Sequence, residues 1–121
     1  MNPWICHITH PTAWQTAQQQ GVYTHPSLTT EGFIHCSDPG QVVATAERFF
    51  TGQTGLVLLW IRGDRLTAPL KFESVPGHGT FPHLYGPLNL DAVDQVSPLV
   101  ADGQGRFTLP PAPEVSNKEI T

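Results

Sequence analysis

The stretch GFIHCSDPG, residues 32–40, sets a histidine directly against a cysteine. A cysteine nucleophile needs its thiolate, stabilised by a nearby cation or a helix N-terminus, and a base within reach. Cys36 stands close to a predicted helix start, but adjacent residues of a strand point to opposite faces, which leaves His35 badly placed as its base. The segment CHIT (residues 6–9) echoes IHCS (residues 34–37): each puts a histidine two residues before a hydroxyl residue where a strand runs into a helix. Strand alternation sends Cys6 with Ile8, and Ile34 with Cys36, to an apolar side, and turns His7 with Thr9, and His35 with Ser37, the other way. Both cysteines then read as buried core thiols, the usual place of a free cysteine. His7 and His35 can share one pocket if their strands lie together.

A third histidine belongs with these two. FPHLYG (residues 81–86) holds His83 and two aromatics between breakers, a composition suited to a pocket wall that stacks a ring and hydrogen-bonds to it. His25 and His78, beside Pro or Gly in loops, read as exposed. Glu31 and Glu73 have acid–base chemistry, but isolated carboxylates at element ends are usually solvated, and neither is assigned a role. No metal is expected: H-E-x-x-H and C-x-x-C are absent, and nothing marks the third of the three converging ligands a catalytic zinc needs. The absence of G-x-G-x-x-G and of a Walker loop disfavours Rossmann and P-loop folds.

These residues must be positioned by short elements. WICHI at the start alternates like a strand, and His10-Pro11 opens a short helix that Gly21 stops. VYTHPSLTTE, residues 22–31, reads as a loop with at most a brief extended piece. Residues 32–36 read as a strand. A second helix follows, capped by Ser37 or Asp38, with Pro39 in its first turn and Val42, Val43, Ala46, Phe49 and Phe50 as its apolar stripe. GLVLLWI, residues 55–61, is the continuous apolar run of a central strand. Residues 70–74 suggest another strand, whereas PGHGTFPHLYGP, residues 76–87, has the breakers of a functional loop. AVDQVSPLV and GRFTL suggest a closing pair of strands.

The chain of 121 residues fits one domain, expected over residues 1–108, with a proline-rich tail over 109–121 whose apolar surface is too small to order it. Twelve prolines and eleven glycines favour strands and turns over a helical bundle. A formal charge of -4, with six scattered basic residues, argues against an extended nucleic-acid face. No apolar run is long enough for a membrane span. Two cysteines and an N-terminus unlike a signal peptide lead to the expectation of a soluble, cytoplasmic protein.

The ordered set ICHIT, EGFIHCS, ERFF, LVLLWI and FPHLYGPL followed by DAV, spanning about residues 4–97, resembles a bacterial family known as domain of unknown function 952. Members of that family are similar to a compact form of the ADP-ribosyltransferase fold, shared by poly-ADP-ribose polymerases, diphtheria-type toxins and RNA 2'-phosphotransferases. The resemblance implies an α+β fold: a split, strongly bent β-sheet with two or three short helices and an NAD-sized cleft at the split. It implies NAD or a related nucleotide as ligand, with transfer of ADP-ribose or cleavage of nicotinamide as the activity. His7, followed by Thr9, matches the histidine that holds the nicotinamide-side ribose; His35 and Ser37 line the same cleft, and His83 and Tyr85 close it. His7, His35 and His83 are the candidate catalytic residues, and His7, Thr9, His35, Ser37 and Tyr85 the candidate ligand-binding ones. The late glutamate of such transferases has no counterpart, since none follows Glu73 before the tail. The alternative is a non-catalytic module that binds a small metabolite or a protein in the same cleft.

Overall fold

A computed structural model describes residues 3–114. The chain opens with strand β1 (Trp4–Thr9) and helix α1 (Pro11–Gln20). Pro11 occupies the first helical turn, where its missing N–H costs nothing, and Gly21 ends the helix at φ 83°, its N–H donated to Ala17 O. Strand β2 (Val22–Tyr23) and a one-turn helix α2 (Ser27–Thr30) follow, in the region expected to be a loop. Gly32, at φ 92°, then turns the chain into strand β3 (Ile34–His35). A 3-10 turn at Pro39–Gln41 leads into helix α3 (Val42–Phe49), and Asp38 N–H donates to Gln41 Oε1 at 2.9 Å. The remaining strands are β4 (Leu56–Arg62), β5 (Leu70–Val75), β6 (Gly79–Leu84), β7 (Leu88–Asn89) and β8 (Val93–Leu99).

The result is an α+β arrangement of antiparallel sheets with few helices: β1-β4-β8, β3-β6-β5 and the small pair β2-β7. β4 is central in the first sheet, as its unbroken apolar run requires. It and β1 are buried on both faces and feed two cores by alternation. Trp4, Cys6 and Ile8 join Leu56, Leu58 and Trp60 in one, together with Val42 and Ala46 of α3. Ile5 joins Leu59 and Ile61 in the other, with Tyr23, Ile34 and Cys36.

Two expectations need correction. Residues 79–84 form a strand, not a loop, and β6 lies between β3 and β5. The breakers Pro82 and Gly79 are accommodated because the ladder to β3 is only two residues long, Ile34 opposite Leu84 and His35 opposite His83. Pro82 accepts from Cys36 N–H at 3.1 Å but has no N–H to return, and the ladder stops there. The chain from Cys36 onward leaves β6 and bridges β1, with Cys6 and Ser37 exchanging two backbone hydrogen bonds of 2.8 Å. Segment 34–37 therefore belongs to both three-stranded sheets and marks where they part. The second correction concerns the closing strands: β8 pairs with β4, and residues 105–109 contribute only a bridge between Ala101 and Phe107.

Leu109, where the predicted tail begins, packs against the first core, and residues 115–121 lie outside the described ones. No helix among the described residues is long and apolar enough to cross a membrane.

Candidate functional site

A pocket of about 420 Å³ opens where the two sheets part. Segment 34–37 supplies His35, Cys36 and Ser37 to its lining; β1 supplies Cys6, His7 and Ile8; β6 supplies Phe81 and His83. His25 and Glu31 flank α2, Phe33 precedes β3, and Thr45, Arg48, Phe49 and Phe50 come from α3 and its end. Four histidines and four phenylalanines thus surround one concavity.

His7 is buried at the base. Its Nδ1–H donates to His35 O at 2.6 Å, a bond that fixes the tautomer and ties β1 to β3. Nε2 lies 2.8 Å from the Tyr23 hydroxyl, which in turn lies 2.9 Å from Thr9 Oγ1. One phenolic proton serves both neighbours: a neutral His7 takes it at Nε2, and an Nε2–H turns it toward Thr9. Burial, with the nearby charges of His25 and His35, pushes the His7 pKa down to about 4 despite the His35 carbonyl. His7 is therefore neutral near pH 7 and has both ring nitrogens engaged within the protein. Thr9 does not line the pocket; it acts through Tyr23, whose own pKa burial raises to about 12.

His35 and His83 are cross-strand partners, with ring centroids 5.6 Å apart and planes at 79°. Each is held by its own carboxylate. His35 Nε2 meets Glu31 Oε2 at 2.9 Å, and His83 Nδ1 meets Glu73 Oε1 at 2.9 Å. The Tyr85 hydroxyl donates to the same Glu73 oxygen at 2.6 Å, so Tyr85 stands behind His83 rather than in the pocket lining. The His35 bond holds the Glu31 pKa below the ordinary carboxylate value; the Tyr85 bond, then that of His83, does so for Glu73. Phe33 stacks on His83 with centroids 4.0 Å apart and meets His35 edge-on at 4.8 Å.

His25 is half-buried against His7, not exposed, and its Nδ1 accepts the Ser27 N–H at 3.1 Å. Its pKa is lowered by burial first and by His35 second. Among the described residues no cluster of three or more His, Cys, Asp or Glu is arranged to hold a metal ion. Both thiols border the pocket but are buried, and burial raises each pKa to about 12.

His7, His35, Ser37 and His83, expected from sequence, are thus brought together. Tyr23, Phe33 and Arg48 are additions that sequence reasoning missed, while His25, expected to be exposed, and Glu31, given no role from sequence, join the same wall. Only the histidine count and the FIH triplet hinted at them.

The family model described as "Protein of unknown function (DUF952)" matches residues 8–96. The chain belongs to the DUF952 family. Among solved structures, the crystal structure of protein CC0527 from Caulobacter crescentus is similar at 36% identity, covering 88% of this chain and 94% of that one, with a TM-score of 0.80. The solution NMR structure of CC0527 is 35% identical, covering 86% and 90%, with a TM-score of 0.75. No protein with a curated description matches. The family match takes in β1 from Ile8 onward and the other elements that line the pocket, while Cys6 and His7 lie just before its first residue.

Proposed function

We propose that the pocket binds NAD or a related nucleotide on an ADP-ribosyltransferase-like fold in the cytoplasm, and that the bound molecule transfers ADP-ribose or loses nicotinamide. The observation that carries this reading is the pocket at the parting of the two sheets, with four phenylalanines to stack planar rings and a buried histidine on the first strand. Its volume lies in the range of small-molecule sites. His7 holds the floor through His35 O and Tyr23, Thr9 supports Tyr23, and Ser37, His35 and His83 offer polar atoms to the ribose. Glu31, on the pocket wall, supplies a carboxylate for an oxocarbenium-like transition state where the late glutamate is missing.

The test is a thermal-shift titration with NAD, ADP-ribose and nicotinamide, since a ligand that binds only the folded state raises the melting temperature. A saturable rise, reduced in Tyr23→Phe and lost in His7→Ala, is the expected result; no shift with any of the three overturns it. A second reading, a non-catalytic binding module, is favoured by one observation: both nitrogens of His7 are already used within the protein. Release of free nicotinamide from NAD decides for the enzyme, and stoichiometric binding without release decides for the module.

A further inference from the structure

The two histidine–carboxylate pairs have a geometry that binding NAD does not require. His83 is only 6% exposed, its Nδ1 is taken by Glu73, and no residue among those described meets its Nε2. Trp60 Nε1 is the buried side-chain nitrogen or oxygen left without a partner among those residues, so His83 Nε2 is not sealed in. His83 lines the pocket, and Nε2 is the ring nitrogen left for a molecule bound there. A carboxylate on one imidazole nitrogen fixes the tautomer so that the other presents a lone pair, the arrangement of a general base. His35, opposite on β3, is more than half exposed and has Nε2 on Glu31, leaving Nδ1 to carry a proton to or from a bound molecule. Two imidazoles oriented separately, one enclosed and one open, are equipped to take a proton at one oxygen and give one at another.

The charge of the pocket indicates what lies between them. Its carboxylate, Glu31, is occupied by His35, and Arg48 brings a guanidinium from α3, stacked 4.5 Å over the Phe49 ring with no acidic partner among the described residues. Phe49 is 60% exposed, an aromatic face at the rim of the kind on which a base stacks. A guanidinium, an exposed aromatic and an acid–base pair match a small phosphorylated nucleotide; the scattered basic residues elsewhere do not suit a long nucleic acid.

We infer that His83 and His35 form a general base and general acid pair that hydrolyses a ribonucleoside 2',3'-cyclic phosphate, with Arg48 holding the phosphate and Glu73 and Glu31 positioning the imidazoles. His83 Nε2 takes a proton from water as its oxygen forms a bond to phosphorus. The bond from phosphorus to one ribose oxygen breaks, and protonated His35 gives that oxygen its Nδ1 proton. The products are a phosphate monoester and a free ribose hydroxyl. His83 is left protonated and His35 neutral, and exchange with solvent restores both. This activity goes beyond the NAD reading and does not depend on it.

The full chain is incubated with 2',3'-cyclic AMP, without NAD, and adenosine 2'- and 3'-monophosphates are separated by chromatography. The expected result is turnover that falls on the order of 10²- to 10⁴-fold in His35→Ala with the melting temperature unchanged. His83→Ala is expected to lose turnover similarly, but its ring is stacked on Phe33 and the variant can lose the fold. Glu73→Gln, on a half-exposed carboxylate, keeps the test open: a positioning role lowers kcat and shifts its pH profile while the melting temperature holds, whereas loss of folded protein lowers apparent kcat without moving that profile. Arg48→Ala raises KM, and His78→Ala, an exposed histidine outside the pocket, leaves turnover as it was. No monophosphate above the buffer blank, or full activity in His35→Ala, overturns the inference. A His7-dependent shift with NAD alongside no turnover sinks this activity alone, whereas turnover without any NAD shift removes the NAD reading alone.

Discussion

His7 couples the site to pH through its burial. Its folded pKa, about 4, lies below the ordinary 6.5, so the unfolded chain binds the extra proton first. Stability is then full above about pH 6.5 and falls as pH drops toward 4, by about 3 kcal/mol from this group. His25, shifted in the same direction, adds to the fall, and Glu31 and Glu73, with lowered pKa values, lose their contributions as pH falls further. Denaturant melts between pH 7.5 and 4 are expected to show this slope, and His7→Gln to flatten it; equal slopes in the two proteins would exclude His7 as its source. Tyr23→Phe leaves His7 Nε2 without its donor and is expected to cost about 1–3 kcal/mol in the same melts at pH 7.5. The cysteines give a further check at this scale. Thiols that are buried, with pKa values near 12, do not react with an aromatic disulfide reagent in the native protein, and labelling of both is expected only with unfolding.

Among the elements, β1 and β4 carry the fold because their alternating side chains enter both cores. Leu59→Ala, at a fully buried position of β4, is expected to destabilise by about 2–5 kcal/mol in denaturant titration. Helix α3 behaves differently on its two sides. Val42 and Ala46 are fully buried, while Phe49, part of the same sequence stripe, is turned out to the pocket rim. Phe49→Ala is therefore expected to change stability by no more than about 0.5 kcal/mol while weakening any ligand that stacks there. A large loss of stability would instead return Phe49 to the core. Strand β6 is the element that local sequence concealed, because a proline is disfavoured in a central strand unless the ladder ends at it. Whether the ladder ends is decided by β3, about 48 residues away in the chain.

At the scale of the whole molecule, shared strands make the two cores one cooperative unit. Trp4 and Trp60 report on the first core and Trp14 packs against the second, so tryptophan fluorescence and far-ultraviolet dichroism are expected to trace one unfolding transition. Two separated midpoints would show that the sheets melt independently. By itself the sequence determined β1, α1, α3 and β4, because apolar periodicity and the Pro and Gly signals that start and stop helices are local properties of the chain. It also determined that His7 and Cys6, and His35 and Cys36, face apart, since a strand alternates wherever it lies. Tertiary structure alone decided which strands meet. Pairing β3 with β6 set His35 beside His83, the bridge from Ser37 to Cys6 set His35 against His7, and the folding of α2 brought Glu31 and His25 to the same wall. Those contacts join residues tens of positions apart, and no short-range pattern encodes them: the site arises at the split between two sheets, a place that exists only once both have formed.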